Sequence, residues 1–141
     1  MKFYVDTNIY LNLWKKEGDS TKGIPYWKLA KDFMDKVERE SWTILFSSLI
    51  LKELQYKLTP EQFKEKSELL KSTYQKVDVL EEDYSNARKL ESKSGFDIGF
   101  YDCLHIAVCK RLNLVLVTRD RLMLDFAKSE GLKCGKPEEF L

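Results

Sequence analysis

The chain has 141 residues, of which 43% are hydrophobic and 13% aromatic, and its formal net charge is +1. This composition excludes intrinsic disorder, which requires few aromatic residues and a large net charge, and the length fits one domain spanning residues 1–141. The 24 basic and 23 acidic residues nearly balance, so the total charge does not indicate a nucleic-acid partner. No apolar run is long enough to cross a bilayer, and three cysteines without a C-x-x-C spacing fit a reduced protein. We therefore expect a cytoplasmic protein with no membrane contact.

Hydrophobic spacing predicts strands and helices that alternate along the whole chain. One helix start is well defined, because Thr59-Pro60-Glu61-Gln62 has the pattern of a capping box with proline in the first turn. The alternation indicates an α/β fold with a mainly parallel central sheet. In chain order, we predict strands at 2–5, 43–46, 76–80, 114–117 and 133–134, separated by helices at about 9–14, 25–40, from 47 or 48, 59–74, 82–93, 102–112 and 121–130, and followed by a polar tail.

Four acidic residues are predicted to lie at one edge of this sheet. Asp6 follows the first strand, Asp120 lies just past the fourth, Asp102 opens the helix before the fourth, and Glu53 lies in the helix after the second. Ligands of open parallel sheets bind beyond the carboxyl ends of the strands, so we expect these acids to meet there. Clustered carboxylates repel one another unless a cation compensates them. Oxygen ligands without a histidine or cysteine cluster suit Mg²⁺ or Mn²⁺ and argue against zinc, and such a site fits hydrolysis of a phosphodiester.

Each acid, taken alone, has a simpler interpretation. Asp6, Asp102 and Asp120 are of a residue type that caps helices, and Glu53 fits a solvated helix position. His105, the only histidine, is interpreted as a packed helix residue with a satisfied ring nitrogen and not as a catalytic base. The joint placement of four acids at one predicted edge is what favours a site.

The motifs at these positions resemble those of the PIN-domain ribonucleases. Asp-Thr-Asn-Ile after the first strand, Glu53 in an early helix, Tyr-Asp-Cys-Leu-His-Ile-Ala and Leu-Val-Thr-Arg-Asp occur in the order of the family and cover nearly the whole chain. The sequence looks most like the small single-domain members, which include the VapC toxins of toxin–antitoxin pairs. The resemblance implies a Rossmann-like α/β/α sandwich around a parallel sheet.

The resemblance also implies roles for particular residues. It implies a metal-binding and catalytic set made of Asp6, Glu53, Asp102 and Asp120, supported by hydrogen bonds from Asn8 and Thr118. It implies an RNA substrate, a homodimer and, in the toxin branch, a small antitoxin that blocks the site. We therefore predict an endoribonuclease that depends on Mg²⁺ or Mn²⁺ and is the toxin of a type II VapBC pair.

Other charged residues near the motifs are harder to assign. Arg119 and Arg121 bracket Asp120, where a phosphate must arrive, and we predict that they contact the substrate. Asp97 and Asp125 also lie near the motifs, but they fit a loop and a helix surface, so we leave them outside the site.

Alternative functions remain open from the sequence alone. Within the family, the alternative is an RNA-processing nuclease without an antitoxin. A second class is a non-catalytic module that binds RNA or protein, although all four acids are present. A third class, the phosphotransfer domains, ranks low, because Asn8 stands where a dehalogenase-type phosphatase needs a second aspartate.

Overall fold

A computed structural model describes all residues from Met1 to Leu141. The strands are β1 (Lys2–Val5), β2 (Thr43–Ser47), β3 (Gln75–Val77), β4 (Val115–Val117) and β5 (Cys134–Gly135). The helices are α1 (Thr7–Trp14), α2 (Tyr26–Arg39), α3 (Ser48–Lys57), α4 (Pro60–Thr73), α5 (Glu81–Lys93), α6 (Phe100–Leu112) and α7 (Arg121–Ser129), and a 3₁₀ turn (Pro137–Phe140) ends the chain. No helix is both long and apolar enough to span a membrane.

The five strands form one sheet in the order β3-β2-β1-β4-β5, and every pair of neighbours is parallel. Connections between parallel strands are right-handed, so the helices before and after the reversal of strand order cover opposite faces of the sheet. This arrangement confirms the predicted α/β/α sandwich. The strand order reverses between β1 and β4, where Val5 is paired with Val117. Ligands bind at such a switch point in open α/β sheets.

The strands on either side of the switch point, β1 and β4, are buried on both faces. Phe3, Tyr4 and Val5 of β1 have no exposed surface, and β4 is also fully buried. They belong to a cluster of 31 buried hydrophobic residues that joins the helices to the sheet. This explains why both strands read as continuous apolar runs in the sequence. A well-packed pair of strands gives the residues that follow them a rigid base.

The structure corrects several predicted boundaries. The third strand is only Gln75–Val77, because this edge strand pairs with β2 at three positions alone. The predicted polar tail is wrong, since its 3₁₀ turn brings Phe140 against Phe3 with ring centroids 5.2 Å apart. The capping box at Thr59 is confirmed, with its side chain accepting a hydrogen bond from the backbone of Gln62.

Candidate active site

Asp6 lies directly after β1, at the switch point of the sheet. Its backbone N–H donates to the carbonyl of Val117 at 2.9 Å, which ties it to the end of β4. Its side chain caps α1 by accepting from the backbone of Thr7 at 2.8 Å. Asp6 therefore caps α1 and also lies at the predicted site, so the two interpretations of this residue are compatible.

The hydroxyl of Thr118 joins three predicted site residues. It donates to Asp6 Oδ2 at 2.7 Å and accepts from Asn8 Nδ2 at 3.1 Å and from the backbone N–H of Asp120 at 3.2 Å. A hydroxyl has one proton and two lone pairs, so these three bonds use its full capacity. Thr118 thus fixes the carboxylate of Asp6, and Asn8 fixes Thr118. The other side-chain atom of Asn8, Oδ1, is buried and has no partner.

Glu53 lies in the middle of α3, the helix that follows β2, and its side chain extends to the same region. Its Oε1 accepts from the hydroxyl of Thr7 and from Nε2 of His105, both at 2.8 Å. Thr7 therefore links Glu53 to Asp6, since its backbone binds one carboxylate and its side chain the other. These bonds leave Oε2 of Glu53 free.

A buried chain of hydrogen bonds holds Glu53 from behind, and sequence reasoning missed it. His105 is fully buried, as predicted for a packed residue, and its Nδ1 lies 2.6 Å from the hydroxyl of Tyr4, which lies 2.7 Å from Ser47 Oγ. Because a carboxylate can only accept, Nε2 of His105 carries the proton shared with Glu53. Both ring nitrogens are therefore in use. The one signal in the sequence was a histidine one helical turn after Asp102.

Asp102 and Asp120 approach from the other side of the switch point. Asp120 caps α7, with Oδ1 accepting from the backbone of Met123 at 3.2 Å. Asp102 does not open its helix as predicted, because α6 begins at Phe100 and Gly99 occupies the capping position. Asp102 instead lies in the first turn of α6, half-buried and without a hydrogen bond, so both of its oxygens are free.

The charges of the other three acids act on Asp102, although only Asp6 and Glu53, with His105, have ligand atoms within 4.8 Å of one another. Burial raises the pKa of Asp102 from 3.8 to about 6; the charges of Asp6, Asp120 and Glu53 add to this, and His105 opposes it. Burial also raises the pKa of Asp6, against the opposing effects of His105 and the Thr118 hydrogen bond. Burial acts to raise the pKa of Glu53, but the hydrogen bond and charge of His105, the hydrogen bond from Thr7 and the charge of Lys57 together lower it. An added cation would relieve this concentration of negative charge.

The donor groups present fit a hard divalent cation. One ligand atom from each of Asp6, Glu53 and His105 lies within 4.8 Å of the other two. We assign His105 to positioning and not to metal binding, because both of its nitrogens already have partners. What remains is oxygen: free carboxylate atoms and the unpartnered Oδ1 of Asn8. Carboxylate and amide oxygens are the ligands that Mg²⁺ and Mn²⁺ prefer.

The two arginines predicted to bind substrate differ in the structure. Arg119 is only 12% exposed, forms a double hydrogen bond with Glu138 at 2.9 and 3.0 Å, and lies 4.2 Å above the ring of Tyr26. It packs the C-terminal turn onto α2, and this argues against the predicted phosphate contact. Arg121 is 89% exposed, with only Asp125 nearby at 3.9 Å, and is free to meet a ligand.

Comparison with known families gives one match. The model of the PIN domain matches residues 3–129. The matched region begins in β1 and ends with α7, so it contains all four acids together with Asn8 and Thr118. A search of curated proteins finds no match.

Several solved structures have a similar fold. VapBC-1 from nontypeable Haemophilus influenzae gives a TM-score of 0.72 at 20% identity, covering 97% of this chain and 98% of the other. VapBC2 from Rickettsia felis, bound to a DNA fragment from its promoter, gives 0.71 at 23% identity, covering 96% and 98%. A toxin–antitoxin complex from Klebsiella pneumoniae gives 0.67 at 19% identity, covering 96% and 97%. At these identities the likeness establishes a shared fold.

Proposed function

The chain belongs to the PIN domain family, and from that premise we propose that it is an endoribonuclease dependent on Mg²⁺ or Mn²⁺. The proposed metal-binding and catalytic acids are Asp6, Glu53, Asp102 and Asp120. PIN domains are generally nucleases, which supports the reaction class. The observation that carries the proposal is the hydrogen-bonded joining of distant acids at the carboxyl edge of the sheet: Thr7 links Asp6 to Glu53, and Thr118 links Asp6 to the backbone of Asp120.

The four acids would hold the ion from different elements of the fold. Asp6 and Glu53 present fixed oxygens, because Thr118, Thr7 and His105 restrict their rotation. Pre-ordered ligands reduce the entropy lost when an ion and a substrate bind. We assign Asp102, in the first turn of α6, and Asp120, which caps α7, to the same ion, because the charge of Asp120 acts on Asp102 together with those of Asp6 and Glu53.

The chemistry of a bound divalent ion fits phosphodiester hydrolysis. Such an ion would offset the negative charge of the phosphate and lower the pKa of a bound water, which favours formation of the attacking hydroxide. Without an ion, the carboxylates would repel the phosphate backbone of RNA. We therefore expect both binding and cleavage near the acids to require the metal.

We further propose that the protein is the toxin of a type II pair, with a small antitoxin as its partner and a homodimer as its own assembly. Support comes from the fold, since similar solved structures include VapBC proteins and a toxin–antitoxin complex. A toxin should arrest growth when expressed alone, and coexpression of its antitoxin should restore growth. Growth unaffected by the active enzyme would favour an RNA-processing role instead.

Cleavage of RNA tests the proposed activity. The purified protein is incubated with total RNA in Mn²⁺ or in excess EDTA, and the cut ends are mapped. We expect cleavage in Mn²⁺ alone and its loss in D6N and D120N, with folding checked by circular dichroism. D125N is the matched control, because Asp125 is exposed on α7 outside the acid cluster. Cleavage by D6N, or cleavage in EDTA, would contradict the proposal.

A further inference from the structure

A second cleft lies between α5 and the C-terminal half of α6, away from the four acids. It has a volume of about 470 Å³, within the range of sites that bind small ligands. None of the four acids lines it. Lys110, on the wall that α6 supplies, lies more than two turns beyond Asp102, which is about 12 Å along the helix axis. The cleft is therefore separate from the acid cluster.

A buried carboxylate holds two lysines at one end of this cleft. The ammonium groups of Lys93 and Lys110 lie 2.8 and 3.2 Å from different oxygens of Glu130, whose side chain is only 7% exposed. The hydrogen bond from Lys93, together with the hydrogen bond and charge of Lys110, keeps the pKa of Glu130 below its usual range despite its burial. Each ammonium has three N–H donors and uses one on Glu130, so donors remain for another acceptor. With Lys89, these two lysines form what we term the lysine end of the cleft.

The lysine end carries more positive than negative charge. Lys89 lies one turn before Lys93 on α5 and forms no salt bridge, so three lysines share the single carboxylate of Glu130. Arg111 also lines the cleft, but it binds the buried Asp83 at 2.9 Å, and this pairing compensates its charge. The surplus charge at the lysine end favours an anion, and a phosphate group can accept from several ammonium groups at once.

The opposite end of the cleft has a different chemistry. Glu82 lies on the same face of α5 as Lys93, about 16 Å away along the helix axis, and it forms no salt bridge. Asn86 lies one turn after Glu82 and offers both a donor and an acceptor. Between the two ends, the buried Leu90 and Ala107 form an apolar floor. The cleft therefore fits a molecule with a negative group at one end, an apolar middle and N–H donors at the other end.

We propose that this cleft binds a nucleoside monophosphate whose base carries an amino group, and that this binding is a function separate from that of the acid site. The phosphate lies at the lysine end, and the ribose and base lie over Leu90 and Ala107. For adenine, the N6 amino group donates to Glu82, while Asn86 pairs with N6 and N7, as asparagine does when it reads this base in DNA.

The charge distribution disfavours other anions. A continuous nucleic-acid strand would bring a second phosphate towards Glu82, whose carboxylate repels it. A free phosphate would use the lysine end alone and leave Glu82 and Asn86 without partners. A base with a carbonyl at position 6, as in inosine monophosphate, would place an acceptor against the carboxylate of Glu82 and bind more weakly.

Calorimetric titration tests the cleft directly. Adenosine monophosphate, inosine monophosphate and inorganic phosphate are each titrated into the protein at low salt in EDTA, which keeps divalent ions from carrying a phosphate to the acid site. We expect adenosine monophosphate to bind more tightly than the other two. K89M should weaken its binding about 3- to 10-fold, because one ammonium contact to the phosphate is lost. E82Q should reduce the preference for adenosine over inosine monophosphate, because an amide can also donate to a carbonyl. K71M is the matched control, since Lys71 is exposed on α4 and outside the cleft.

Several results would overturn the inference. One is the absence of binding by adenosine monophosphate, and another is an affinity for it that K89M leaves unchanged. Equal affinities for adenosine monophosphate and inorganic phosphate would show that only the lysine end binds, and equal affinities for the two nucleotides would show that Glu82 does not read the base. A short RNA whose binding K89M weakens, in a protein that binds no mononucleotide, would assign the cleft to a strand instead. None of these measurements depends on cleavage of RNA, so they decide the inference whether or not the proposed function holds.

Discussion

Replacing Asp102 with asparagine should stabilise the metal-free protein at pH 8. The native carboxylate makes no hydrogen bond and lies among Asp6, Glu53 and Asp120, so its charge opposes folding when no cation is present. The asparagine side chain has nearly the same shape and carries no charge. The change therefore removes a repulsive interaction without leaving a cavity.

The pKa of Asp102 sets the size and pH range of this effect. A rise from 3.8 to about 6 corresponds to about 3 kcal/mol, since one pH unit is worth about 1.4 kcal/mol. The side chain is only half-buried, and solvent screens part of its charge, so we expect about 1–2 kcal/mol. Between pH 3.8 and 6 the unfolded chain releases this proton while the folded chain keeps it, so the native protein loses stability as the pH rises. The advantage of the variant should be full above pH 6 and nearly absent at pH 4.

Urea unfolding in EDTA, followed by tryptophan fluorescence at pH 8 and pH 4, measures both quantities. D97N is the matched control, because Asp97 is exposed in the loop before α6 and should respond little to the same change. A D102N variant that is no more stable than the native protein at pH 8 would show that the charge of Asp102 does not oppose folding. An advantage of equal size at both pH values would show the same, because a carboxyl group that is already protonated cannot repel its neighbours.

The remaining predictions concern two buried interactions and the ion itself. Y4F should lower the free energy of unfolding by about 1–3 kcal/mol, because it leaves the buried Nδ1 of His105 without its partner; no loss in urea unfolding would contradict the hydrogen-bonded chain. R111M should cost about 3–5 kcal/mol, because Asp83 is fully buried and Arg111 binds it at 2.9 Å. The exposed Arg121 supplies the control, and R121M should stay within about 0.5 kcal/mol. Mn²⁺ should raise the melting temperature of the native protein at pH 8 and do so less as the pH falls below 6; equal shifts at both pH values would argue against carboxylate ligands.

The parts of the site that the sequence predicted are those set by local pattern. Asp6 and Asp120 follow apolar strands, and the carboxyl ends of parallel strands share one edge, so their meeting follows from periodicity and topology alone. The hydrogen bonds of His105 could not be predicted in this way, because Tyr4 and Glu53 lie 101 and 52 residues away along the chain.

The structural role of Arg119 could not be predicted either, because it also depends on a partner that is distant in the sequence. Its partner Glu138 belongs to a short turn that the sequence presents as a polar tail, with only Pro137 and Phe140 to indicate that it packs. An arginine next to a catalytic motif fits both phosphate binding and structural pairing, and the choice depends on which carboxylate the fold brings close. Spacing in the sequence does not contain that information.

The position of a bound ion shows whether the four acids form one metal site. Crystals grown with Mn²⁺ should show an anomalous scattering peak at the carboxyl edge of the sheet, between β1 and β4 and within coordinating distance of oxygens from Asp6, Glu53, Asp102 and Asp120. This peak should disappear in D6N. An empty acid cluster in crystals of a protein that cleaves RNA, or an ion held elsewhere on the molecule, would contradict a metal site formed by the four acids.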